Sequence, residues 1–276
     1  FVLMVVFTVF AVLAALKYDM SVIAHIGLIG AYAVPFLLSN DSGNEVVLFS
    51  YMIIVNLGIL FISFKKDWKK LYYSAFALSW FIFLGRSGFS FKSEHLISGL
   101  TFGTLFFLIF YVMLLAFKVV KGQKFKWDDI ILLILNSFIY FSLGYYFLDN
   151  DELGGRLLGV FALANAVVHF IVGLMLYKRQ LADKNLFYFV VGLVIVFITI
   201  AVPIQLDGSW VTLLWVGEAA LLFWIGRTKD VPIYEKMSYV LVVIGFVSLL
   251  QDWEEHTILS YYQGKEYDTP FVNIAF

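Results

Sequence analysis

The chain has 276 residues, of which 62% are hydrophobic and 14% charged, against roughly 45–50% and about 25% in a water-soluble domain. So few charges cannot cover the surface of a soluble fold of this length, and lipid must supply part of the solvent. A net charge of −1 offers no global field to nucleic acid, and the absence of cysteine excludes disulfides, thiolate metal sites and a cysteine nucleophile within this stretch.

A bilayer core about 30 Å thick takes roughly 20 apolar residues per helix, and the chain reads as ten such spans. The first, 1–16, opens on Phe1 with no cationic stretch before it, so it is not read as a signal peptide. The second, 21–39, carries His25 and Pro35; the third, 46–64, carries Asn56. Spans 71–89 and 96–117 follow, then 130–148 with Asn136 and 157–176 with Asn165 and His169. The eighth, 186–204, holds Pro203 and ends beside Gln205; the ninth, 210–226, holds Glu218; the tenth is 237–250. Residues 251–270 read as a short extracytoplasmic segment, and Phe271 to Phe276 as the start of a further span. The expectation is one transmembrane helical region over 1–276, cut at both ends.

Helix is the default for each span, because lipid-exposed backbone must bond within its own segment. A transmembrane β-barrel would alternate apolar and polar residues over about ten positions. The run from Leu105 to Leu115 does not alternate. The fold class is all-α, a polytopic integral membrane bundle.

Loop charge sets relative sidedness. After the odd-numbered spans come Lys17; Lys65, Lys66, Lys69 and Lys70; Lys118, Lys121, Lys124 and Lys126; Lys178, Arg179 and Lys184; and Arg227, Lys229 and Lys236. The opposite loops hold only Arg86, Lys92, Arg156 and Lys265, and carry acids such as Asp41, Glu45, Asp149, Asp151, Asp207 and Asp252. This alternation follows the positive-inside rule and places the Lys-rich loops in the cytoplasm. Docking of anionic lipid by those clusters is the second reading. Trp68 and Trp127 on the basic side, with Trp210 and Trp253 on the other, suit interfacial anchoring.

Asn56, Asn165 and Glu218 each lie in an inward-running span, and Ala33-Val-Pro35 is echoed by Ala201-Val-Pro203. Stacked two-helix hairpin repeats would explain both features; so would a row of short hairpins drifting into one period.

Three stretches carry a resemblance: Gly27 to Ser39, Ala201 to Arg227 with its Leu214-Trp-Val-Gly-Glu-Ala-Ala core, and Thr269 to Phe276. They resemble the bacterial predicted membrane proteins grouped as domain of unknown function 2339. The resemblance implies a longer protein of the bacterial cytoplasmic (inner) membrane and assigns no residue a role.

Glu218 is the one acid inside a span. A charged group at that depth costs a few kcal/mol or more. Two readings stand: a proton-linked or cation-binding site, and a neutral carboxyl bonded across a helix interface. Its expected partners are Asn165 and His169, then Gln205. Asn165 and His169 share a helix face at i and i+4. They and His25, Asn56 and Asn136 read either as polar groups of a pathway or as interhelical hydrogen bonds. The segment Asp252-Trp-Glu-Glu-His256 is a weak metal candidate and reads as a solvated loop, as do Arg86, Lys92, Glu94 and His95. No catalytic motif, metal site or cofactor site is identified.

Three roles remain open. A transporter or flippase-like handler of an envelope precursor needs a cavity lined by Glu218, His169 and Asn165. A scaffold or assembly subunit of an envelope complex needs dry packing and a flat apolar face. An enzyme on a lipid-linked substrate needs outer acids near Asp41, Asp149 and Asp207. The expected partners are the lipid bilayer and other membrane subunits or the missing parts of the same chain, with no nucleic acid.

Because the chain has no native cysteine, single-cysteine variants report cleanly on sidedness. Lys66→Cys, Lys121→Cys and Lys229→Cys are expected to react with an impermeant thiol reagent only from the cytoplasmic side. Asn44→Cys, Asn150→Cys and Tyr261→Cys should react only from the other side; members of one set reacting from opposite sides would sink the ten-span map.

Overall fold

A computed structural model describes residues 2–37, 45–66, 68–88, 96–121, 126–179, 184–206 and 209–262. Among them the chain forms ten α-helices and no strand. The helices are α1 (Val2–Tyr18), α2 (Ser21–Leu37), α3 (Glu45–Lys65), α4 (Lys69–Phe83), α5 (Leu96–Lys121), α6 (Trp127–Asp149), α7 (Leu158–Arg179), α8 (Lys184–Gln205), α9 (Ser209–Thr228) and α10 (Pro232–Tyr262). Each covers one expected span. Helix is the only local structure that satisfies every backbone N–H and C=O of such apolar segments without water.

Seven of the helices (α3 and α5 to α10) are long and apolar enough to cross a membrane. The remaining three are shorter: α1 and α2 have 17 residues each, and α4 has 15 before it passes into a π turn over Leu84–Gly88. The widening at the π turn sets Arg86 against Glu45 at the start of α3, with Nε and Oε1 3.1 Å apart. At the other end of the chain, α10 continues helical to Tyr262 through Asp252 to His256, where a solvated loop is expected from sequence. Of that acidic segment only Trp253, half exposed, has a described side chain.

The chain divides into two compact units. One comprises Phe1–Leu157 with Ile171–Phe189; the other comprises Leu158–Phe170 with Val190–Phe276.

The first unit is centred on aromatic rings from α3 to α6. Phe83 lies 4.9 Å from Phe49, 5.4 Å from Phe106, 5.9 Å from Trp80 and 6.5 Å from Phe147, ring centre to ring centre. All but the tilted Phe49–Phe83 pair are edge-on, the arrangement that ring quadrupoles prefer. These five rings are buried to 2% exposure or less. Small residues let helices approach elsewhere. A Cβ at Gly27 would stand 2.8 Å from Ala11 Cβ, so α1 and α2 touch there through the missing methyl.

In the second unit α9 and α10 form an antiparallel hairpin. Gly226 faces the backbone of Glu235, Gly245 faces Val216, and the Thr212 and Ser248 hydroxyls meet at 2.8 Å. The outer side of the hairpin, including Trp224, Val243 and Phe246, is exposed apolar surface suited to lipid.

The ion pairs join loops that the charge pattern assigns to one side. Lys66 meets Asp19 at 2.7 Å, and Lys69 meets Asp128 and Asp129 at 3.0 and 3.2 Å. All of these belong to the Lys-rich loops, as do Arg227 and Glu235 at 3.6 Å. Arg86 and Glu45 both belong to the acidic side.

The turns α1–α2 and α9–α10 close by the same device. Asp19 and Asp230 each take φ of 53°, and the next residue's N–H returns to the carbonyl five back, Met20 to Ala15 and Val231 to Gly226. This is the helix stop usually built with glycine. A β-branched side chain is the least suited to that backbone, so Asp230→Val is expected to cost about 1–2 kcal/mol. Asp230→Gly should leave stability unchanged or raise it; unfolding in detergent micelles measures both.

Candidate functional site

A polar group inside an apolar span must find its partner within the protein, because an unmet one costs several kcal/mol in hydrocarbon. In the first unit those partners lie on neighbouring helices. Tyr32 on α2 donates to Asn56 Oδ1 on α3 at 2.9 Å, and Asn56 Nδ2 donates to Ser79 Oγ on α4 at 2.9 Å. Ser79 Oγ lies 2.5 Å from the Tyr32 oxygen. Since the Tyr32 proton is committed to Asn56, Ser79 supplies the third, and the three bonds close a ring of mutually polarising donors. Asn136 on α6 likewise accepts from Trp80 Nε1 of α4 at 3.2 Å and donates to the Phe107 carbonyl of α5 at 3.0 Å. Asn56, Ser79 and Asn136 are fully buried. His25 turns its Nδ1 to the Ser21 carbonyl of its own helix at 2.8 Å.

In the second unit the polar groups gather beside Pro203, where the continuous helix α8 lacks one backbone hydrogen bond. Pro203 lies inside α8 and has no N–H for the carbonyl four residues earlier, that of Thr199. Trp215 of α9 takes that place, its Nε1 donating to the Thr199 carbonyl at 3.0 Å. One turn along α9, Glu218 Oε1 lies 2.8 Å from Thr199 Oγ1, which also lies 2.9 Å from the Ile195 carbonyl. Positions i and i+3 share a helix face, so Trp215 and Glu218 grip a single residue of α8. Glu218 is the tenth residue of the twenty in α9, about 15 Å from either end, beyond the reach of a Glu side chain to water.

The expected partners of Glu218 are placed otherwise. Asn165 is buried on α7 and donates Nδ2 to the Phe161 carbonyl of its own helix at 2.8 Å, while its Oδ1 has no hydrogen-bond partner among the described residues. His169 is fully buried and stacks on Phe197 of α8 at 5.2 Å with rings 6° from parallel. Gln205 lies against Gly159, where a Cβ would collide with its side chain. The bonded partner is instead Thr199, because the hydroxyl and the proline-opened carbonyl lie together on the face of α8 that meets α9. Pro203 is the signal in the sequence: counting back four residues names Thr199. Among the described residues no group of three or more His, Asp or Glu side chains could hold a metal.

The two units share a local pattern. In each, a hydroxyl residue about one turn before a proline, Tyr32 before Pro35 and Thr199 before Pro203, bonds the polar residue of the next helix.

A family profile described as Predicted membrane protein (DUF2339) matches residues 1–257. The chain belongs to this family. Comparison with curated proteins and with solved structures finds no match. As a member of this family of predicted membrane proteins, the chain is an integral membrane helical bundle in contact with lipid.

Tyr32→Phe keeps the ring and removes the hydroxyl from the α2–α3–α4 cycle. It is expected to lower stability by about 1–2 kcal/mol, since interhelical hydrogen bonds in membranes contribute roughly that much. Thermal unfolding in detergent against wild type tests it, and no loss would mean the cycle adds nothing.

Proposed function

We propose that this member of the family handles a lipid-borne envelope precursor in the bacterial inner membrane, as a transporter or flippase does, with Glu218 as its proton- or cation-linked carboxyl and its Lys-rich loops in the cytoplasm. One observation carries the reading. The sole acid within a span meets, at mid-helix, a residue whose backbone carbonyl a proline has opened. Acids inside membrane helices commonly mark ion or substrate pathways, and interrupted helices in corresponding positions point to the binding region of transporters. The segregation of ion pairs between Lys-rich and acidic loops supports the assignment of sides.

A second reading, a scaffold or assembly subunit of an envelope complex, draws on the first unit. There the polar groups of Tyr32, Asn56, Ser79 and Asn136 bond one another, the Trp80 indole or backbone, and Phe49, Phe106 and Phe147 pack ring against ring around Phe83.

Glu218→Gln separates the two readings, because the amide keeps a hydrogen bond and removes the titratable proton. In a strain lacking the gene, wild type is expected to restore envelope integrity, measured as resistance to detergent and bile salt. Glu218→Gln should fail to restore it while reaching wild-type abundance and thermal stability. Full restoration by Glu218→Gln would leave the scaffold reading in its place.

A further inference from the structure

We propose that the site formed by Glu218 and Thr199 takes a proton and no metal cation, and that the Thr199 hydroxyl reverses its hydrogen bond when the proton leaves. This rests on the reading of Glu218 as the functional carboxyl and names the ion that it carries.

The proton inventory comes first. Thr199 Oγ1 is within hydrogen-bond distance of two oxygens, the Ile195 carbonyl at 2.9 Å and Glu218 Oε1 at 2.8 Å. A hydroxyl has one proton, and a backbone carbonyl brings none. Both contacts are hydrogen bonds only when Glu218 supplies the second proton, so that Glu218 donates to Thr199 and Thr199 donates to Ile195. When half-buried Glu218 passes its proton to a water molecule that enters the bundle beside it, the Thr199 hydroxyl rotates from Ile195 to the carboxylate. Ile195 keeps its backbone bond within α8. The exchange needs one torsion and no movement of a helix.

The surroundings favour a proton over a metal ion. Broken membrane helices coordinate cations through their freed carbonyls. Here the freed carbonyl of Thr199 already accepts from the Trp215 indole, whose N–H presents its positive end to the same place. The remaining protein oxygens are two from Glu218 and one from Thr199, fewer than the six to eight that an all-protein calcium cage supplies. Neither α8 over 190–205 nor α10 over 240–251 carries a titratable side chain, and α9 carries none besides Glu218 between 209 and 226. On α7, His169 lies on Phe197, two residues before Thr199 and so about 200° around α8 from it.

Infrared difference spectroscopy of the full chain in lipid nanodiscs tests this without a known substrate. The expected result is a carboxylic acid carbonyl band that titrates with pH and is absent in Glu218→Gln. It should be unchanged when choline chloride is replaced by sodium chloride at constant pH and ionic strength. Thr199→Val should move the band to higher frequency by removing its acceptor, and Thr199→Ser should return it. Sodium abolishing the band in wild type would overturn the proposal, as would a folded Thr199→Val that leaves the band in place. Should the band behave as expected while Glu218→Gln fully restores the deletion strain, the proton site stands and the functional reading falls.

Discussion

In hydrocarbon a hydrogen-bonding group has no water to fall back on, and this decides how the chain is put together. It forces each apolar span into a helix, since a helix closes its backbone bonds within itself. It then acts on the few polar side chains. Asn56 and Asn136 each hold two other helices, and the tie is directional where lipid-like side chains are not. Apolar packing alone gives little preference for protein over lipid, because lipid tails are as apolar as leucine. Bonds such as Tyr32 to Asn56 therefore specify which helices meet and at what depth.

The same constraint explains the use of proline. A proline in a soluble helix exposes a carbonyl that water can satisfy. In α8 the carbonyl of Thr199 must be satisfied by protein, and the indole of Trp215 does so from the next helix. The missing backbone bond thus becomes an interhelical bond, and it brings Glu218 to the adjacent hydroxyl. Bulky aromatic side chains complete the first unit by interlocking edge to face around Phe83, which makes contact area where hydrophobic drive is weak.

The class of fold was legible from the sequence because it rests on sums: run lengths, charge spacing and the absence of alternation. Span ends were legible to a few residues, and α10 outran its expected end because acids such as Asp252 and Glu254 do not themselves stop a helix. The candidate site was legible in part. Glu218 announces itself as an acid among apolar residues, but its partner depends on which face of α9 meets α8. One-dimensional spacing favoured Asn165 and His169, which are conspicuous by residue type; threonine is common in membrane helices and carries no such mark. Pro203, counted back four residues, held the missing information.

The length of α10 has a mechanical consequence. Its 31 residues rise about 46 Å, while the hydrocarbon core takes about 30 Å. Its partner in the hairpin, α9, has 20 residues and ends its match at the core thickness. The polar run from Gln251 to His256 lies toward the far end of α10, so the length in excess of a bilayer core, about ten residues, is continuous with the apolar part of the helix. A helix unbroken from Pro232 to Tyr262 has no joint along its length. A displacement at its far end is therefore carried along the helix to the end that packs at Gly226.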